Sequence, residues 1–207
     1  MVKNLDGLAS NYILTTGNVD RIADRTAIRL KILPRDAYRY GYELWADQET
    51  GLLLKSVLID HASNAIEQYM YAFINIGIDI PDSDLLPMTS KEELEWFNDK
   101  KPPKMMAVAD SPWYFDSLPD GYNLINIMQR SMPMDDKRLE HMVLSDGLAG
   151  ISVFIEKTEN PAYENGIEQM GAVNAYTRTV DEWQVTVIGE VPAVAVKLIG
   201  EALALKH

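Results

Sequence analysis

Few side chains in this 207-residue sequence are spaced for making or breaking bonds. His61, His141 and His207 stand far apart, and none repeats at the short spacing that puts two imidazoles on one metal ion. There is no cysteine, which excludes disulfides, thiolate nucleophiles and sulfur-ligated zinc. The acidic pairs in Asp47-Gln-Glu-Thr-Gly51 and Met134-Asp-Asp136 lack the ligand series of a calcium loop and read as turns. Asp146-Gly147 reads as a hairpin corner rather than a catalytic acid. No Gly-x-Ser-x-Gly, phosphate-loop or dinucleotide fingerprint occurs, and no nucleophile, base and orienting group can be assembled. An enzyme is the least supported class, and no metal or cofactor is expected.

The patterned side chains are ones that bind. Tyr38, Tyr40 and Tyr42 recur at every second position, with Leu44 continuing the row and Trp45 opposite. Tyrosine joins an apolar body to a polar tip and suits the wall of an acyl-chain cavity; the plain alternative is core packing on a strand. Arg25, Arg29 and Lys31 share one strand face, with Arg35 and Arg39 nearby. Such a cluster attracts lipid phosphates, for which arginine offers a bidentate fork. The alternative is a solvated outer face, its charge offset by Asp20, Asp24 and Asp36. Later in the chain, Arg130, Arg138, Tyr176 and Arg178 are amphipathic positions suited to gripping a protein segment by strand addition or by clasping a helix; the alternative is ordinary surface. Met132-Pro-Met134 is either a soft interface or a tolerated loop.

The elements that must hold these residues are mostly strands. Ile28, Leu30 and Ile32 alternate with Arg29 and Lys31, which predicts a half-buried strand over 27–33. Further strands are predicted over Tyr38–Ala46, Leu52–Asp60 and Ala65–Ile80, joined by turns at Asp47–Gly51, where Gly51 needs a positive φ, and at His61–Asn64. Residues 1–26 supply one or two more strands, from Asn11–Thr16 and part of Val19–Arg25. A sheet this long with bare edges should self-associate or be covered, so a homo-oligomer is possible. Pro81, Pro87, Pro102, Pro103 and Pro112 bracket a charged connector over 81–111, in which Ser90-Lys-Glu-Glu93 opens a short helix to Lys100. From Trp113 onward, short apolar runs bounded by turns predict four or five antiparallel strands: Gly121–Arg130, Leu139–Leu144, Ile151–Glu156, Gly171–Val180 and Trp183–Gly189. Pro192 then marks a helix start, with Ala195, Leu198, Ile199, Ala202 and Leu203 at helical spacing toward Leu205.

Composition narrows the partners. The net charge of −12 argues against nucleic acid, which needs a basic surface. Residues 1–80 carry 8 basic and 10 acidic side chains, net −2, whereas 111–207 carry 7 and 14, net −7, so the two ends should meet different partners. No run approaches the 18 apolar residues of a membrane-spanning helix. Met1–Asp6 has no apolar signal core, so the chain is cytosolic or its export signal lies upstream.

Taken together, several segments resemble a known family. Tyr38-Arg-Tyr, Leu44-Trp45, Thr50-Gly-Leu-Leu-Leu54, Leu58, Asp60 and Glu67-Gln68 resemble the end of the large domain of the RseB/MucB family. Leu118-Pro-Asp-Gly121, Ser145-Asp-Gly-Leu148, Ser152-Val-Phe154, Tyr176-Thr-Arg178 and Val185-Thr-Val-Ile-Gly-Glu190 with Pro192 resemble its small C-terminal domain. The resemblance is collinear over most of residues 10–205. It implies an α+β, mostly antiparallel fold: the closing strands of a half-open LolA/LolB-like barrel over 1–80, a linker with a short helix over 81–111, and a small antiparallel sheet domain with a C-terminal helix over 112–207. It also implies that a signal peptide and the first half of the large domain precede Met1.

The function implied is negative regulation of the sigma-E envelope-stress response in the periplasm. A regulator of this kind binds the periplasmic region of a membrane-spanning anti-sigma factor, shields it from proteolysis, and is displaced by lipopolysaccharide or another acylated lipid. Tyr38, Tyr40, Tyr42, Arg29 and Lys31 are then the lipid-side candidates, and Arg130, Arg138, Tyr176 and Arg178 the partner-side candidates. The alternative is a passive periplasmic lipid or lipoprotein carrier of LolA/LolB type. A bare carrier has no need of the domain after Trp113.

Overall fold

The structure, a computed structural model, describes residues 5–86, 104–132, 135–157 and 165–206. The helix expected over 90–100 and the turn residue Met134 lie outside the described residues. The fold is mostly antiparallel β, in two main sheets and a two-stranded ribbon. A short helix α1 (Leu5–Asn11) leads into β1 (Tyr12–Ile22), β2 (Arg25–Pro34), β3 (Gly41–Asp47), β4 (Leu53–Ile59) and β5 (Ala65–Met70). These five strands pair in sequence order. Residues 11–25 thus give one strand, broken by a bulge between Thr16 and Val19. Ala23 and Asp24 both take positive φ, which makes the tight turn whose twist suits a hairpin. Gly51 has the positive φ expected of it.

Two of the expected strands are shorter than the pattern implies. Tyr38 and Tyr40 precede β3 rather than belonging to it. Residues 35–39 bend instead, because Asp36 accepts a bond from the Tyr38 N–H and Arg39 turns inward. The strand expected to reach Ile80 stops at Met70. β4 starts at Leu53, so beyond the bond from Tyr71 N–H to the Leu54 carbonyl no ladder is left to extend.

Among the described residues the second sheet has seven strands where four or five are predicted: β6 (Lys104–Met106), β8 (Asn123–Met132), β9 (Asp135–Ser145), β10 (Gly150–Lys157), β11 (Gly166–Met170), β12 (Val173–Val180) and β13 (Trp183–Gly189). Their order is β11-β12-β13-β10-β9-β8-β6. The extra members are the short β6 and the polar edge strand β11, neither of which carries an apolar run. Val153, Ile155, Val185, Val187 and Met142 share the inner face and are sealed by helix α2 (Ala193–Ala202) through Ala195, Val196 and Ile199. Gly200 lies so close to Tyr176 that a β-carbon there would sit 2.4 Å from its ring. The helix ends at Ala202, short of Leu205. The Ala202 carbonyl accepts from the Asp116 N–H and the Leu203 carbonyl from Arg178, so the helix-end acceptors are satisfied from outside. Leu203–Leu205 then runs on as β14 and pairs with β7 (Trp113–Phe115).

Candidate functional site

Adjacent strand residues point to opposite faces, which separates the two lipid-side sets. Glu43 faces Lys31 across β2–β3 and is clasped by both Arg29 and Lys31, the latter at 2.9 Å. Burial pushes the Glu43 carboxyl up, but the bonds from Lys31 and Arg29 outweigh it and hold the group below its usual range. On the same face the Trp45 ring lies between the Arg29 guanidinium at 5.2 Å and the Lys55 ammonium at 4.5 Å, a cation–π arrangement. The Trp45 indole N–H donates to Asp20 at 2.6 Å. Tyr42, next to Glu43, faces the other way. It is half-buried, and burial followed by the nearby charges of Glu190, Asp146 and Glu67 pushes its phenol up to about 12. The basic pair and the tyrosine row therefore do not converge on one site.

An apolar groove of about 450 Å³ opens at the β4–β5 end, lined by Leu52, Leu53, Leu54, Tyr69, Met70 and Tyr71. Tyr69 is 68% exposed there and Met70 52%.

The remaining tyrosines lie where the two sheets meet. Tyr40 is buried against Leu58 and Ala172, and its hydroxyl accepts a bond from the Asn174 amide at 3.1 Å. Tyr38 packs against the second sheet's core, and its carbonyl accepts from the Tyr122 hydroxyl. At the centre of this seam is Arg39, fully buried. Its Nε donates to Asp146 Oδ2 at 2.6 Å, while its other nitrogens reach the Asp36 carboxylate and the Asp120 carbonyl. The guanidinium stacks 4.6 Å from the Tyr122 ring. Tyr12 donates to the same Asp146 oxygen at 2.7 Å. The other oxygen of Asp146 accepts from the Leu148 and Ala149 N–H groups, shaping the β9–β10 turn. One carboxylate thus builds the corner expected from Ser145-Asp-Gly147 and ties it to the first sheet. Burial and then the Asp146 charge push the phenols of Tyr12 and Tyr122 well above the ordinary value. Beside this cluster, a cavity of about 340 Å³ is lined by Tyr42 from the first sheet and by Leu148, Gly150, Ser152, Ile188 and Glu190 from the second.

The partner-side candidates divide as well. Tyr176 and Arg178 face inward, Tyr176 beneath Gly200 and Arg178 bonded to the Leu203 carbonyl, so both support helix α2. Arg130 stands opposite Leu139 on β8–β9, and Arg138 opposite Ser131; their side chains lie outside the described part. The outer face of this sheet carries Phe154 stacked on His141 at 4.4 Å, with Ser152 bonded to His141 at 3.0 Å. Asp146, Tyr12, Tyr122 and Asn174 escaped the sequence reading. Only the Ser-Asp-Gly turn signalled any of them, because contacts over a hundred residues apart leave no local periodicity. Among the described residues no group of acidic or histidine side chains could hold a metal ion, and no helix is long and apolar enough to cross a membrane.

The family model for the MucB/RseB N-terminal domain matches residues 1–89, and that for the MucB/RseB C-terminal domain matches residues 107–204. The chain belongs to the MucB/RseB family. It is 33% identical over 208 residues to the sigma factor AlgU regulatory protein MucB of Pseudomonas aeruginosa, covering 96% of this chain and 64% of that protein. It is 28% identical to the sigma-E factor regulatory protein RseB of Haemophilus influenzae, covering 95% of this chain and 60% of that one. The chain thus spans less than two thirds of the length of these relatives. A crystal structure of MucB in complex with MucA(peri) overlays all of this chain and 72% of its own, with 27% identity and a TM-score of 0.78. A further crystal structure of MucB overlays 98% of this chain and 66% of its own, with a TM-score of 0.67.

Proposed function

We propose that this chain is the binding part of a periplasmic regulator of the sigma-E type envelope-stress response. It holds the periplasmic region of a membrane-spanning, MucA-like anti-sigma factor and shields it from proteolysis. The supporting observation is that both sheets together, over the full chain, overlay MucB in complex with MucA(peri). The protein acts by occupancy: its ordered polar clusters join strands and units, and the cavities on the proposed binding paths are apolar or mixed. The partner segment lies along the outer face of the second sheet, over Phe154 and His141, and reaches the cavity between the units at Tyr42 and Ile188. Arg130, paired with Leu139 on β8–β9, and Arg138, paired with Ser131, are proposed as partner contacts on the strands that border this face. Tyr176 and Arg178 serve it only by fixing helix α2.

Lipid works against the partner. An acyl chain takes the groove at Leu52–Leu54 and Tyr69–Tyr71, while Tyr42 lines the separate cavity on the partner's path. A lipid phosphate at Arg29 or Lys31 competes with Glu43, which both already hold. Lipid and partner favour different states, so each weakens the other by the same factor. Calorimetric titration with a MucA-like periplasmic segment, with and without lipopolysaccharide, tests this. The expected result is saturable binding that lipopolysaccharide weakens; no heat of binding in either condition overturns it. The groove also suits a passive lipid carrier, which would bind lipopolysaccharide and ignore the segment.

A further inference from the structure

We propose that Arg39 is a positioning residue for partner binding: it touches no partner, being fully buried, but it sets the angle between the two sheets that a segment bridging them must meet. This rests on the reading of a partner that crosses the seam. Among the described residues no strand is shared between the two sheets. Their relative orientation therefore comes from side chains across the seam. Apolar contacts also cross it, Tyr38 onto the second core, Tyr12 and Tyr42 beside Leu148, and Tyr40 against Ala172, but these fix no angle by direction. Three single hydrogen bonds also cross it, Tyr12 to Asp146, Asn174 to Tyr40 and Tyr122 to the Tyr38 carbonyl, but one guanidinium makes several at once. Its planar fork donates in three directions at once, to Asp36 on its own unit and to Asp146 and the Asp120 carbonyl on the other. Both Arg39 and Asp146 are completely shielded from solvent, so neither charge can swing away to water without a large penalty. A buried fork of this kind specifies one arrangement out of the many that a few apolar contacts permit. The cavity beside it takes its shape from that arrangement, because Tyr42 comes from one unit and Ser152 and Ile188 from the other.

Asp146→Asn is the sharpest variant. The amide oxygen still accepts from the Leu148 and Ala149 N–H groups, so the turn persists, while the amide nitrogen faces Arg39 and Tyr12 with a donor. Arg39→Lys is the second variant, keeping the charge but not the fork. Because the chain has no cysteine, spin labels at Ala62→Cys and Glu168→Cys report the distance between the units without background. The expected result in both variants is a broadened distance distribution with unchanged far-ultraviolet circular dichroism. Affinity for a MucA-like periplasmic segment falls by about tenfold or more, as when the competent arrangement drops to a tenth of the population. Linking Ile66→Cys to Ala172→Cys with a short bis-maleimide, across the apolar cluster they share, restores most of that affinity. A residue that merely stabilised the fold would not be rescued by fixing the angle. An unchanged distance distribution in both variants, or lost affinity that the crosslink does not restore, overturns the proposal. If the unaltered protein does not bind the segment, the parent reading and the affinity claim fail, and the distance distributions alone judge what fixes the angle.

Discussion

The second sheet lies under helix α2 with one continuous core, from Trp113 through Val153 and Val187 to Ile199 and Leu203, whereas the first sheet divides its buried residues among three small clusters. The first sheet holds its strands with charge as much as with grease: Arg25 to Asp47, Arg29 and Lys31 to Glu43, and Trp45 between two cations. It leaves Tyr69, Met70 and Phe73 largely in solvent. Large apolar side chains exposed beside a groove mark a surface meant to be covered by something else. The contrast teaches a division of labour in which the second unit is a rigid support and the first is an adaptable surface.

The contrast breaks most sharply in the core. Ile199→Ala, at a fully buried position under the second sheet, should cost about 2–5 kcal/mol in denaturant unfolding. Gly200→Ala gains helix propensity but collides with the Tyr176 ring, and a net loss of about 1–3 kcal/mol is expected because the ring is packed against its own sheet. If either change proved neutral, the second unit would not be the rigid partner.

The two units should also answer pH in opposite ways. Arg25 and the Thr50 N–H hold the Asp47 carboxyl well below its ordinary 3.8, against burial, and Glu43 is likewise depressed by Lys31 and Arg29. Their stabilisation is complete above the ordinary carboxylate range and is lost as pH falls through the depressed values. Glu140, buried on β9, is raised above 4.5 by desolvation, with Ser111 and Gln129 offsetting part of it. Its contribution is complete below 4.5 and is lost as pH rises through the raised value. Glu140→Gln, which keeps an acceptor for Ser111, should therefore stabilise the protein at pH 7 and change little at pH 4. Thermal melts at the two pH values check this; an equal shift at both contradicts it. The smallest effect on stability belongs to Tyr69→Ala, within about 0.5 kcal/mol because the residue is exposed. The same variant should weaken lipopolysaccharide binding, measured by fluorescence titration, and equal binding would remove the groove from the lipid path.

Much of this was legible in the sequence because it is local. The alternation at Ile28–Ile32, the turns at Gly51 and Asp146-Gly147, and the helix after Pro192 each follow from period or turn chemistry, and each stands where expected. What the sequence hides is non-local. Tyr38-Arg-Tyr reads as the start of a strand, yet Asp146, over a hundred residues away, draws Arg39 inward and bends the chain. Arg178 looks like surface and instead caps the end of a helix. β11 is too polar to announce itself and exists because β12 offers it a ladder.

The most direct test of action by occupancy is protection. A MucA-like periplasmic segment is digested by a limiting protease in the presence and absence of this chain. The account predicts that saturating chain lengthens the segment's survival several-fold and that lipopolysaccharide removes the protection. Equal digestion rates with and without the chain, in a solution where it is folded, would contradict it.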